Sequence, residues 1–491
     1  PEKSAENYIL VPFHTSDGSE KLIAITDKKH RWALESDLTE LGFKKEEFPE
    51  SIEGLPQEVL HGVQEKLAKQ YQKREKLDHE KHKYGSIYST FLFQSKRKAE
   101  TYREIAKAKM NFGGTRNTYY ITGWIPEKVV DDMTRQILDA TDGEAFIETE
   151  SPKDVDTVKR GKESVPVMFK NPKFLRPFEM LVKGYGFPGY NEVEPTLFVA
   201  LSFLIMFGLM FGDVGQGAVI ALIGFWFVKS KNPAIQKLSD SGVILMGAGI
   251  SSFIFGFLYG SVFGKEGLFQ PLWIEPLEGI DQLFKVTIGF GIVLISIGLI
   301  VNIFNRVSRK DYMHAIFDKA GVVGVFFYWG SIFLAIKALV LKTGTIQSWE
   351  VAVFVALPLI LLFFREPIYN GITRKKRLIS HDIFTYIMES GVEIMETITS
   401  FLGNTVSFVR VSAFALSHAG LSLAIFKLAE ILSDMPAGTF WAWFAIIFGN
   451  VLIIALEGMV VSIQTIRLEY YEFFSKFFGG QGEEFKPFEL K

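Results

Sequence analysis

Residues 196–228 read TLFVALSFLIMFGLMFGDVGQGAVIALIGFWFV, 33 residues with a single charge, Asp213. As one helix the stretch would run about 50 Å, against a hydrocarbon core of ~30 Å. It crosses a bilayer either once, strongly tilted, or twice with a turn near Gly212-Asp213. Every later loop changes sides with that choice. The flanking charge selects the double crossing. Basic connections occur at KSKNPAIQK (229–237), RVSRKDYMH (306–314) and REPIYNGITRKKR (365–377), whereas 264–283 carries Glu266, Glu275, Glu278 and Asp281 against Lys265 alone. Placing the three basic loops inside puts 229–237 on the side of the charged N-terminal region. Two short half-spans then need local thinning or burial among other helices. Further apolar runs at about 241–263, 285–305, 318–341, 350–364, 391–433 and 440–478 bring the expected total to eight crossings, with both termini cytoplasmic.

Working outward, the chain has 491 residues, a formal charge of -2 and 48% hydrophobic residues, 46 of them Phe. That balance gives no signal for a nucleic-acid partner. It conceals an asymmetry: residues 1–190 are densely charged and 191–491 are mostly apolar runs. The reading is a soluble arm at 1–190 joined to a polytopic membrane domain at 191–491. With no cysteine, disulfides, thiol catalysis and Cys-ligated metals are excluded. The chain starts at Pro1 with no initiator Met and no signal-peptide pattern, so the expectation is that upstream residues of the arm are missing.

In the arm, ENYILVPFH (6–14) and EKLIAITD (20–27) flank the turn-like TSDGS, which predicts a β-hairpin. From Leu55 to about Met110 the pattern is one long charged helix, roughly 80 Å at 1.5 Å per residue. Such a length suits an antiparallel coiled-coil stalk rather than a compact domain. TRNTYYITGWIPEKVVDDMTRQILDAT (115–141) then reads as strand, turn and helix, completing an α/β lobe on the stalk. GYGFPGY (184–190) matches G-x-G-x-x-G, but no strand precedes it and Pro188 lies inside it. No P-loop pattern is present either. The chain is therefore expected to bind no nucleotide or other cofactor and to be no enzyme by itself.

The chemistry sits in the last two apolar runs. NTVSFVRVSAFALSHAGLSLAIF (404–426) places Arg410 in a run able to span a bilayer, without a carboxylate within a helical turn. A guanidinium does not deprotonate, and burying it in lipid is costly. Residues seven apart share a helix face, so Glu396, Gly403, Arg410 and Ser417 form a stripe flanked by Ser407, Ala413 and Gly420. Small side chains let another helix approach closely. The final run carries a second stripe of Glu457, Gln464, Arg467 and Tyr471. Glu396 falls about 21 Å to the inner side of Arg410, and Glu457 about 15 Å to the outer side of Arg467. That is the layout of two half-channels separated by a fixed positive barrier, with the mobile carboxylate on another chain. Helix-to-helix bonding by these groups is the plainer alternative.

These residues resemble subunit a, also called subunit I, of the rotary V-type and A-type ATPases. The resemblance rests on 191–217, the GWIP turn (123–126), NTVSFVRVSAFALSHAGLS (404–422) and EGMVVSIQTIRLEYYEFFSKFF (457–478), and with the stalk it covers essentially the whole chain. It implies that Arg410 and Arg467 are the essential charges facing a ring carboxylate. It implies further that Glu457 and His418 belong to the outer half-channel, and Glu396 and Asp213 to the cytoplasmic one. Gln464 stands where eukaryotic members carry a histidine, which removes a titratable group from the outer path. His418 also reads as a packing histidine, and Asp213 as a turn-forming aspartate. The implied partners are a rotor ring of small proteolipid hairpins, peripheral-stalk subunits, the soluble ATPase head reached through the stalks, and membrane lipid. The implied location is a bacterial plasma membrane. A self-contained secondary transporter is the alternative function, though the internal symmetry it predicts is not visible, and a membrane scaffold leaves the paired arginines unexplained. Composition leans slightly toward Na⁺ over H⁺ as the coupling ion, and it leaves pump or synthase direction open.

Overall fold

The computed structural model describes residues 8–14, 20–43, 56–110, 112–265, 270–339, 346–372, 382–436 and 438–488, and the fold is mainly helical. Contacts divide the chain into a unit ending at Ile121 and a unit Thr122–Phe488. The boundary expected near 190 falls inside the second of these units.

In the first unit, β1 (Tyr8–His14) and β2 (Glu20–Thr26) pair antiparallel from Tyr8↔Thr26 to His14↔Glu20. The expected turn at 15–19 lies outside the described residues. After α1 (Arg31–Glu40) comes α2 (Pro56–Lys109), one helix of 54 residues, about 81 Å long. Its Leu60, Val63, Leu67, Leu77, Tyr84, Tyr88 and Phe91 are exposed, and their steps of three, four, ten, seven, four and three resemble a coiled-coil seam. No partner helix covers that seam among the described residues. Short strands β3 (Gly113–Gly114) and β4 (Tyr119–Tyr120) close the unit.

The second unit holds α3 (Val130–Ala140), α4 (Glu179–Tyr185), α5 (Thr196–Met210), α6 (Val214–Lys229), α7 (Ser239–Tyr259) and α8 (Ile280–Ser308). It continues with α9 (Tyr312–Ala338), α10 (Ser348–Phe363), α11 (Arg365–Ile372), α12 (Ile383–Ser433) and α13 (Gly438–Phe477). Five of these, α7, α8, α9, α12 and α13, are long and apolar enough to cross a membrane, and α10 with α11, bent by 57°, would make a sixth. α5 and α6 have 15 and 16 residues, half-length as the sequence required.

The turn between them is real. Leu204 and Leu209 of α5 accept hydrogen bonds from Ser251 and Tyr259 of α7, so these two helices run parallel. On α6, Gly217 faces Gly249 and Phe253 while Gly224 faces Gly242 and Met246, so α6 runs antiparallel to α7. The chain therefore reverses at Phe211–Asp213, and a single straight helix over 196–228 is excluded. The α6–α7 contact is backbone on backbone. A Cβ would stand 2.4 Å from Met246 N at Gly224, 2.3 Å from Ala221 N at Gly249 and 2.2 Å from Val214 N at Gly256. Gly217 and Gly224 are seven apart, as are Gly242, Gly249 and Gly256, which keeps both bare stripes face to face.

The core centres on α5, whose Phe203, Met206, Phe207 and Met210 are buried with Ile295 and Leu299 of α8 and Val461, Leu468, Phe473 and Phe474 of α13. Beyond α13 the chain turns back as an extended segment. Val167 N–H donates to Glu483 O at 2.8 Å, Phe485 N–H to Val167 O at 3.0 Å and Gly482 N–H to Phe187 O at 2.9 Å. Tyr185 packs on Tyr470, Phe474 and Phe478 beside this clasp.

Candidate functional site

The site is built on α12 and α13. α12 has 51 residues, about 76 Å of helix, interrupted at Phe408, which is fully buried. The Phe408 ring fills the space above Gly291 of α8, where a Cβ would sit 2.3 Å from it. This contact sets the phase of the helix two residues before Arg410.

Arg410 is half-buried, and its Nη1 is buried without a hydrogen-bond partner. Gly403, Val406, Ala413 and Ser417 on the same face are exposed. Nothing lies within 4 Å of where a Cβ would be at Gly403 or Gly420. The small-residue face expected from the sequence is thus present and uncovered among the described residues. On α13, Arg467 is exposed in a row with Leu456, Val460, Ile463 and Tyr471. Arg410 lies within electrostatic range of Arg467 and Glu472, and Glu472 within range of both arginines, with its Oε2 lacking a hydrogen-bond partner.

Glu472 is the carboxylate that sequence reading missed near Arg410. Five residues separate it from Arg467, which on an α-helix means about 140° apart. Glu469–Phe474, however, is π-helical, and i→i+5 bonding brings residues five apart toward one face. Ile453–Glu457 is a second π-helical turn. These two turns also break the expected stripe of Glu457, Gln464, Arg467 and Tyr471: Glu457 is buried while Tyr471 is 68% exposed. Gln464 lies between, half-buried, its Oε1 without a partner.

About 12 Å along α12 from Arg410, His418 meets Glu457. His418 Nδ1 stands 2.8 Å from Glu457 Oε2, and both side chains are buried. At that distance the imidazole and the carboxylate are hydrogen-bonded, the donor being set by the histidine tautomer. His418 Nε2 and Glu457 Oε1, the outer atoms of the pair, have no partner. The Phe211 ring covers the imidazole at 4.5 Å. Nearby on α13 and α6, Asn450 Oδ1 accepts from Gln216 Nε2 at 2.9 Å, another pair that sequence patterning did not single out.

Asp213 is fully buried and saturated. Its carboxylate accepts from Gln216 N–H at 2.8 Å, Phe263 N–H at 2.9 Å, Gly264 N–H at 2.7 Å and Ser261 Oγ at 2.6 Å, capping α6. The space a Cβ at Gly264 would need is filled by Ser422, one turn beyond His418. Asp213 therefore lies at the His418 end of α12, and its expected grouping with Glu396 does not hold. Glu396 is 22 residues before His418 in the chain, about 33 Å along the helix. It pairs with Lys319 at 2.7 Å. Beside it Arg365 joins Glu393 at 2.6 Å and Asp318 at 3.3 Å, and Lys476 Nζ reaches Ser400 Oγ at 3.2 Å. Glu469, also missed, is buried and takes a hydrogen bond from Ser202 of α5.

Comparison with known proteins adds an independent line. The family model described as the V-type ATPase 116kDa subunit family matches residues 3–278 and 370–490. The chain is 26% identical over 486 residues to the A-type ATP synthase subunit I of Pyrococcus horikoshii, covering 96% of this chain and 68% of that one. It is likewise 26% identical over 500 residues to the A-type ATP synthase subunit I of Methanocaldococcus jannaschii, covering 95% and 68%. A V-type ATP synthase subunit I 2 of Treponema pallidum is 29% identical over 266 residues, half of this chain and 59% of that one.

Proposed function

The chain belongs to the V-type ATPase 116kDa subunit family, and from that premise we propose that it is the stator channel of a rotary V/A-type ATPase. The carrying observation is Arg410: one permanent cation in an uncovered small-residue face, midway along a long apolar helix, with Nη1 unpartnered. Such a face fits a second helix presenting a carboxylate, which here is assigned to a rotor ring of small hairpin subunits. Arg467 supplies the second cation, and Glu472 holds the pair at fixed height. His418 and Glu457, with Gln464 and the Gln216–Asn450 pair alongside, form the outer half-path. Glu396, near Lys319 and Lys476, marks the cytoplasmic one. An ion reaches the arginine level from either side, passes only on the moving carboxylate, and so couples transport to rotation.

In this reading 196–228 crosses twice, α7, α8, α9, the bent α10–α11 pair, α12 and α13 cross once each, and eight crossings leave both termini cytoplasmic. Residues 1–190 are the arm that meets peripheral-stalk subunits, and the ATPase head is reached through them. The ion is Na⁺ or H⁺, with a slight preference for Na⁺, in a bacterial plasma membrane.

The test is substitution at Arg410 in the reconstituted complex. Arg410→Ala is expected to abolish ATP-driven ion uptake with subunit stoichiometry intact. Arg410→Lys keeps a charge but loses the planar fork, so it should retain under about a tenth of the activity. An assembled Arg410→Ala complex that still pumps would overturn the assignment. Radioactive sodium uptake with and without a protonophore identifies the ion on the same preparations.

A further inference from the structure

Outside the arginine level, a cavity of about 630 Å³ lies where α8 and α13 end and the clasp segment begins. Its wall combines Lys153 and Lys159 of the loop before the first apolar helix with Arg306 and Arg309 at the end of α8, against one carboxylate, Glu192. Arg309 Nη2 binds Glu192 at 2.7 Å, Arg306 stands 3.5 Å from both Asp311 and Asp318, and Lys159 lies 3.9 Å from Asp156. These pairs occupy part of each guanidinium's five donors, and Lys153 has no ion pair among the described residues.

Asn305 supplies a second, independent signal. It is 3% exposed, lines the same cavity and accepts the Val193 N–H at 2.9 Å through Oδ1. Its Nδ2 donors, on the other side of the amide, have no partner. A buried amide donor left unpaired costs free energy on the order of 1–3 kcal/mol, so an acceptor reaching this amide would be stabilised there.

We propose that this cavity binds a phosphate-bearing anion, held by the unpaired Asn305 amide and by Lys153, Lys159, Arg306 and Arg309. A phosphate group supplies several strong acceptor oxygens and the charge that this donor set lacks. The same group is offered by a lipid headgroup and by a free polyphosphate, and the cavity is large enough for either.

The experiment uses the purified chain in detergent. Titration calorimetry with inorganic pyrophosphate addresses the free source. Nanodiscs of phosphatidylcholine with and without phosphatidylglycerol, read by native mass spectrometry of retained lipid, address the membrane source. Asn305→Asp keeps the acceptor for Val193, removes the donors and adds a negative charge. It is expected to weaken saturable binding at least tenfold in whichever arm shows it. The exposed-loop variant Lys153→Ala/Lys159→Ala should weaken it threefold to tenfold and flatten its salt dependence, with melting temperature unchanged. Saturable binding in either arm that both variants reduce supports the site and identifies the source. Absence of saturable binding in both arms, or equal affinity in wild type and both variants, overturns it.

Discussion

At the scale of single residues, the site separates two kinds of buried carboxylate. Asp213 has four donors and no free lone pair aimed at a path, whereas Glu457 has one partner and a bare Oε1. Hydrogen bonds to a charged group contribute about 1.5–3 kcal/mol each. Asp213→Ala should therefore cost stability, lowering the melting temperature of the detergent-solubilised protein by several degrees. Glu457→Gln, isosteric and still able to bond His418, should leave melting within a degree or two while slowing ion exchange with the outer compartment tenfold or more. Glu396→Gln should slow exchange with the cytoplasm instead. Equal transport in both Glu variants and wild type would leave these carboxylates as helix-packing groups. Arg410 and its small-residue face were legible in the sequence because the break at Phe408 is a single residue and leaves Gly403, Arg410 and Ser417 on one face. Glu469 and Glu472 were not, because a π-helical turn has no signature in hydrophobic periodicity. Asp213 was legible as a turn residue, and its place at the His418 end follows from the reversal that the loop charges had already required.

At the scale of elements, glycines and one phenylalanine decide where the helices stand. The α6–α7 pair has no room for a side chain at Gly224, Gly249 or Gly256. Forcing one in costs about 1–3 kcal/mol or more by overpacking. Gly249→Val should thus lower yield and melting temperature sharply, while Gly289→Val, at a position with open space, should not. The seven-residue glycine spacing was in the sequence and would have paired α6 with α7. A related effect is expected at Gly291, where Gly291→Val displaces Phe408 and with it the phase of Arg410. Coupling, read as ions moved per ATP, should fall in that variant before assembly does. An unchanged ratio would show that the Phe408 contact does not position the arginine.

At the scale of the whole molecule, the proposed eight-crossing topology makes the reversal at Phe211–Asp213 set the relative sides of every later loop. A cysteine at Ser230 is expected to react with an impermeant maleimide only from the cytoplasmic face, and one at Leu272 only from the opposite face. Labelling of both from one side would remove the eight-crossing arrangement. Long helices, the hairpin β1–β2 and the turn in 196–228 were legible because each rests on local pattern. The tertiary return of the chain end was not, since GGQGEEFKPF (479–488) carries no alternation or apolar run.

That return has a mechanical meaning. Val167 and Phe187 lie before the first apolar helix, and their partners Gly482, Glu483 and Phe485 lie after the last. Their hydrogen bonds tie the two ends of the bundle into a closed hoop. In the proposed function, a sideways pull on the exposed row around Arg467 would meet resistance from this strap. Without it, α13 would lean like a post fixed only along its length.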